Sequence, residues 1–180
     1  GNYVVEARVS EARIEQPVVI EPGKVTEQHF VLNAGTLKIS PKATAGSEPD
    51  AGAAVHFIYP GGDWVTYGPT SVVVPAGEQT VKVNLGEAEV SETFALKAGE
   101  VIEKDIVAGV GVVKVNAFYA PGMKVEADGI AVNIFEAKKD INGKRKDVAY
   151  TFGPDKQCSL PPGDYVVVFK QGGAEAEAPF

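Results

Sequence analysis

Cysteine, tryptophan and methionine each occur once in the 180 residues, and histidine twice. With Cys158 alone, no disulfide can close within the chain, and the sequence does not declare a redox compartment. With only His29 and His56, no His-x-His or Cys-x-x-Cys spacing exists to mark a zinc site. No apolar run approaches the roughly 20 residues of a membrane helix, so membrane insertion is not expected. No signal peptide opens the chain. Gly1-Asn2-Tyr3 is already strand-like, which suits a cytosolic protein or an excised piece of a longer one. Positive charge is also short: 17 Lys and Arg stand against 24 Asp and Glu, for a net charge of −7 and a pI near 4.9. Nucleic acid is therefore not an expected partner, because phosphate binding needs a clustered basic face.

Catalytic signatures are missing too. No serine sits in a Gly-x-Ser-x-Gly elbow. No Gly-x-Gly-x-x-Gly follows a strand, and "GVG" at 109–111 reads as a hinge. The expectation is a protein that is not an enzyme and carries no cofactor.

What the chain does contain is itself, twice. Shifted by 76, residues 1–46 lie on 77–122 without a gap, and eleven of the 46 positions are identical, among them Gly35, Lys38, Val25, Glu27 and Val31. Other positions exchange one apolar residue for another, as Phe30 with Ile106 and Ile39 with Val115. The match continues with small gaps, "AAVHFIY" (53–59) on "IAVNIFE" (130–136) and "TYGPTSVVV" (66–74) on "TFGPDKQCSL" (151–160). Agreement is strongest at glycines and inward apolar positions, which a shared backbone constrains. The period of 76 to 86 residues is too long for a solenoid and suits tandem small domains.

Within one period the texture is β. Short runs alternate apolar and polar, as in Leu37-Lys38-Ile39-Ser40 and Val81-Lys82-Val83, with Gly, Pro, Asn and Asp between them. The alternation predicts Leu37, Ile39, Val55, Phe57, Val72, Val74, Val81 and Val83 inward. "KVTEQHFVLN" (24–33) and its counterpart "EVIEKDIVAG" (100–109) both read as strands. The organisation expected is the second half of one repeat over 1–34, a complete sandwich over 35–110, and a second sandwich lacking its last strand over 111–180. The spare copy of that strand near the N-terminus predicts self-association through the terminal half-repeats.

The phrases "VPAGEQTVKV" and "LPPGDYVVVF", each followed by an apolar strand and, in the first copy, by "KAGEVIEKDIVAG", resemble the carboxypeptidase regulatory-like, or prealbumin-like, β-sandwich. The likeness also extends to repeats in the tails of bacterial von Willebrand factor A-type proteins. It implies tandem Greek-key, Ig-like sandwiches of the transthyretin or collagen-adhesin B type. It further implies an extracytoplasmic place, periplasmic or on the cell surface, and a role as spacer or interaction scaffold. The family has no catalytic residues to carry over. Gln79 departs from the pattern, standing where Tyr3 and Tyr165 keep the expected tyrosine. Adhesin B-type modules sometimes carry a lysine isopeptide cross-link, but alternation turns Lys38 and Lys114 outward, whereas such a bond needs a buried lysine.

Two segments are candidates for contact with a protein or carbohydrate partner. "KKDINGKRK" (138–146) sets Lys138, Lys139, Lys144, Arg145 and Lys146 in an acidic chain, around an Asn-Gly pair that signals a tight hairpin. It reads either as a solvated edge hairpin kept from pairing by its lysines or as a contact finger for an acidic partner or anionic surface. "PGGDWVTYG" (60–68), taken as a loop, offers Trp64 and Tyr67, either as a contact surface or as packing at the end of a sandwich. Cys158 aligns with Val72 and reads as a small core hydrophobe. The acidic loops 46–52 and 126–129 read as turns rather than calcium sites.

Overall fold

The structure, a computed structural model, describes all of residues 1–180. The chain is all-β, with no helix, as the period-2 patterning predicts. It divides into two compact units. Unit 1 comprises Gly1–Asn84 with Glu89–Ala108, and unit 2 comprises Leu85–Ala88 with Gly109–Phe180.

Unit 1 opens with a hairpin of β1 (Asn2–Val9) and β2 (Ala12–Val19). Its turn lies against the body of the unit, where the Glu11 N–H donates to the Val73 carbonyl at 3.0 Å. The body has seven strands: β3 (Ala34–Lys42), β4 (Ala54–Tyr59), β5 (Gly62–Tyr67), β6 (Thr70–Pro75), β7 (Gly77–Leu85), β8 (Ala88–Leu96) and β9 (Val101–Val107). One sheet has the order β6-β3-β9 and the other β5-β4-β7-β8. β3 runs antiparallel to β6 but parallel to β9, with seven residue pairs from Thr36–Val101 to Lys42–Val107.

The eight residues expected inward are all at most 2% exposed. Alternation is the reason: along β7 the side chains of Gln79, Val81, Val83 and Leu85 point one way and are buried, while Lys82 and Asn84 point the other. Each large apolar side chain taken from water contributes about 2 kcal/mol of gross stabilisation.

The expected strand at 24–33 does not form. Its counterpart is β9, but residues 24–33 belong to no ladder, and Val25 and Val31 are largely exposed. A strand exists only where a neighbour accepts its hydrogen bonds, and both edges of β3 are already taken by β6 and β9.

Unit 2 holds β10 (Gly111–Val115), a small hairpin of β11 (Phe118–Ala120) and β12 (Met123–Lys124), and then β13 (Ala131–Lys139), β14 (Arg145–Phe152), β15 (Lys156–Leu160), β16 (Tyr165–Gln171) and β17 (Ala174–Pro179). Its larger sheet has the order β14-β13-β16-β17, and β10 pairs with β15 alone. The core gathers Val115, Val125, Ile130, Val132, Ile134, Leu160, Tyr165, Val167 and Phe169, with Cys158 packed at its margin. The turn Leu85–Ala88 is grouped here, with the Glu87 N–H donating to the Ser159 carbonyl at 3.2 Å.

Candidate functional site

The basic segment forms the end of the β13–β14 hairpin. Its turn differs from the two-residue Asn-Gly form that the sequence suggests. Such a turn needs positive φ at both residues; Gly143 has φ 78° but Asn142 does not. The strands last meet at Lys139 and Arg145, leaving a five-residue loop, 140–144. Asp140 organises it: its Oδ1 accepts the N–H groups of Asn142 and Lys144, both at 2.8 Å, and its own N–H donates to the Lys144 carbonyl at 2.7 Å. At the apex Ile141 is fully exposed.

The five basic residues divide into two sets. Lys138, Lys139 and Lys144 are exposed and enter no ion pair. Lys146 is exposed but pairs with Glu136 at 2.8 Å, and this hydrogen bond raises its pKa. Arg145 is the exception to the exposure expected of the segment. Its two terminal nitrogens clasp the carboxylate of Glu177 at 2.9 and 3.1 Å, its side chain is 22% exposed, and its Nε is buried without a partner. Glu177 lies on β17, two strands beyond β14's neighbour, so the pair reaches across one face of the sheet. Val166 and Val168 in the central strand β16 are both buried.

Residues 60–68 are not a loop. Tyr59 pairs with Gly62, so only Pro60 and Gly61 form the turn, and residues 62–67 are β5. Gly61 has φ 88°, the conformation that a Pro-Gly type II turn requires at its third position. Trp64 is half-buried and stacks on Phe57 with ring centroids 5.6 Å apart. Tyr67 is exposed on the other face, as is Val65. The same arrangement recurs in unit 2 at aligned positions: Tyr150 and Phe152 are exposed on β14, edge to face at 4.9 Å. The sequence signal for this repeated apolar pair was the alignment of "VTYGP" with "YTFGP".

The remaining candidates are engaged locally. His56 meets Asp63 at 3.0 Å, and His29 lies on the surface near Glu27. Asp50 Oδ1 accepts the N–H groups of Gly52 and Ala53, which is turn chemistry in loop 46–52. Lys38 pairs with Glu103 at 2.6 Å on the surface, and Lys114 with Asp155 at 2.8 Å. The Asp155 carboxyl, held by Lys114 and then by Lys124, is lowered to about 2. Burial pushes the Cys158 thiol up, opposite to the activation a nucleophile needs.

No protein-family model matches the chain, and no curated protein sequence matches it. Among solved structures it is similar to the Bacillus anthracis TIE protein, at 19% identity and a TM-score of 0.37, over all of this chain and 38% of that one. It is also similar to a streptococcal ancillary pilin, at 12% identity and a TM-score of 0.41, over all of this chain and 71% of that one. A candidate adhesin from Bacteroides ovatus is similar at 11% identity and a TM-score of 0.36, over 88% of each chain. The likeness is one of β-rich architecture.

Proposed function

We propose that the chain is a non-catalytic, extracytoplasmic array of β-sandwich modules acting as a spacer or interaction scaffold in a larger bacterial protein. The modules are a half-repeat over 1–34, a sandwich over 35–110 and a second over 111–180. The observation that carries this reading is what the repeat keeps and what it discards. The inward apolar positions recur, whereas His29 and His56 become Asp105 and Asn133, and Asp50, His56 and Asp105 are engaged in a turn or a surface pair. The resemblance to prealbumin-like repeats agrees with this, and the parallel pairing of β3 with β9 supports it. Antibodies against the 138–144 end of the basic hairpin, which is exposed, test the location: they should label intact source cells. Labelling only after lysis would overturn the extracytoplasmic assignment.

A second reading, a specific binding module for protein or carbohydrate, is favoured by the apolar pairs Val65/Tyr67 and Tyr150/Phe152 at aligned positions. Under that reading, Tyr67→Ala with Tyr150→Ala abolishes binding on a glycan array or to a captured surface protein. Binding that survives the double substitution removes it.

A further inference from the structure

The repeat supplies a control for the basic hairpin. Between the aligned segments 53–59 and 66–74 the first copy has six residues, and between 130–136 and 151–160 the second has fourteen. In unit 1 the matching hairpin turns on Pro60 and Gly61 alone. A hairpin at this place closes without the extension, so the fold of unit 2 does not account for it.

What the extension carries is selective. Residues 138–146 bear a net charge of +4 in a chain of −7, so the remainder carries −11. Lys138, Lys139 and Lys144 stand exposed with no ion pair, while the one acid of the segment, Asp140, is engaged by the amides of Asn142 and Lys144. At the apex Ile141 is 102% exposed. The tip is not loose. Four hydrogen bonds within residues 140–144 hold it, and the pairs Arg145–Glu177 and Lys146–Glu136 anchor its base. Solubility accounts for free lysines, but not for an isoleucine fixed in water among them.

Three free lysines call for an anionic partner, and the isoleucine narrows the choice. A soluble polyanion offers an apolar side chain nothing. A folded acidic protein would need a pocket shaped for it. A lipid surface opens around a convex tip, and it sets an apolar layer beneath an anionic one. We propose that the 138–144 tip is a peripheral lipid contact. Ile141 enters the boundary between headgroups and acyl chains of an anionic membrane, and Lys138, Lys139 and Lys144 lie among the phosphates. The −11 on the rest of the chain is repelled by the same surface, so the chain meets it by this tip. Each lysine near such a surface strengthens binding about fivefold, and three together about a hundredfold. A contact of this strength is reversible, so an antibody of ordinary affinity, about nanomolar, still reaches the hairpin. The proposal adds an anchorage to the scaffold reading. A purified chain that ignores lipid removes the anchorage and leaves the module reading intact.

The test is co-sedimentation of the full chain with vesicles of phosphatidylcholine, alone or mixed equally with phosphatidylglycerol. Binding should require phosphatidylglycerol and be lost at about 1 M salt, where the Debye length is about 3 Å. Lys138→Gln, Lys139→Gln and Lys144→Gln together should weaken it about a hundredfold. Lys97→Gln, at an exposed lysine of unit 1, should leave it unchanged. Ile141→Ser should weaken it about tenfold with no change of charge. Ile141→Trp should strengthen it and add an emission that moves to the blue on binding. All these side chains are exposed, so the thermal midpoints of the variants should match the parent. A chain that does not bind phosphatidylglycerol vesicles overturns the proposal. So does binding that the triple substitution leaves intact. Binding that Ile141→Ser leaves intact overturns it as well, because charge alone then suffices and a soluble acidic partner is the better occupant.

Discussion

The phenol of Tyr165 donates to the carbonyl of Pro161, four residues back, at 2.8 Å, and in unit 1 the Gln79 amide makes the same four-residue reach to Pro75 at 2.9 Å. Two different side chains thus tie the loop before a central strand to that strand. The cost of the substitute is visible: Gln79 is buried and its Oε1 has no partner. Tyr165→Phe should therefore destabilise unit 2 by about 1 kcal/mol, the loss of one buried hydrogen bond. Gln79→Glu places a charge where an amide oxygen is already unpaired, and should cost unit 1 about 3 kcal/mol or more. Urea midpoints at constant m-value measure both.

Trp64, the single tryptophan, stacks on the buried Phe57, so its fluorescence reports the packing of unit 1 directly. Phe57→Ala should lower stability by about 4 kcal/mol through lost burial and a cavity. The tryptophan emission should also shift to the red in the folded state. An unshifted spectrum would show that the stack does not shield the indole.

The basic hairpin should separate into inert and structural parts. Replacing Lys138, Lys139 and Lys144 with Gln should change stability by less than about 0.5 kcal/mol. Arg145→Ala should cost more, about 1 to 2 kcal/mol, because it removes a bidentate clasp and strips cover from the sheet. Arg145→Lys should restore little of it, since an ammonium cannot engage both carboxylate oxygens in the same way. Thermal unfolding of the three variants ranks them.

Asp155 gives a pH signature. Its folded pKa, about 2, lies below the ordinary carboxylate value near 3.9. Its contribution to stability is therefore complete above about pH 4 and is lost as pH falls through about 2. Because the group is on the surface, the effect on overall stability is small and the NMR titration of the carboxyl carbon is the sensitive readout. Lys114→Gln should move that midpoint upward, the hydrogen bond from Lys114 being the largest cause of the shift.

How legible this was in the sequence differs from residue to residue. Alternation placed the eight side chains expected inward in unit 1, because burial on a sheet has a period of two and any slip would expose the whole set. The parallel pairing of β3 with β9 was not legible: Lys38 and Glu103 are 65 positions apart, and no local pattern records a partner at that distance. The same gap explains residues 24–33, whose pattern is right for a strand but whose neighbour is not supplied within unit 1. In the hairpin, Asn142-Gly143 pointed to a two-residue turn, but the carboxylate of Asp140 captured two amides and widened it. Arg145 read as one more surface charge until Glu177 was seen across the sheet.

The parallel union of β3 and β9 governs how unit 1 bears tension. Because the two strands run in the same direction side by side, the chain enters at one end of the pair and leaves at the other. A pull on Ala34 and Val107 slides one strand along its neighbour, so the bonds across seven residue pairs resist together rather than opening one at a time. A hairpin such as β1–β2, pulled at Asn2 and Val19, peels from its open end instead. Unit 1 is thus arranged to yield last along its own chain axis, and stretching it from those two points should show one high-force event.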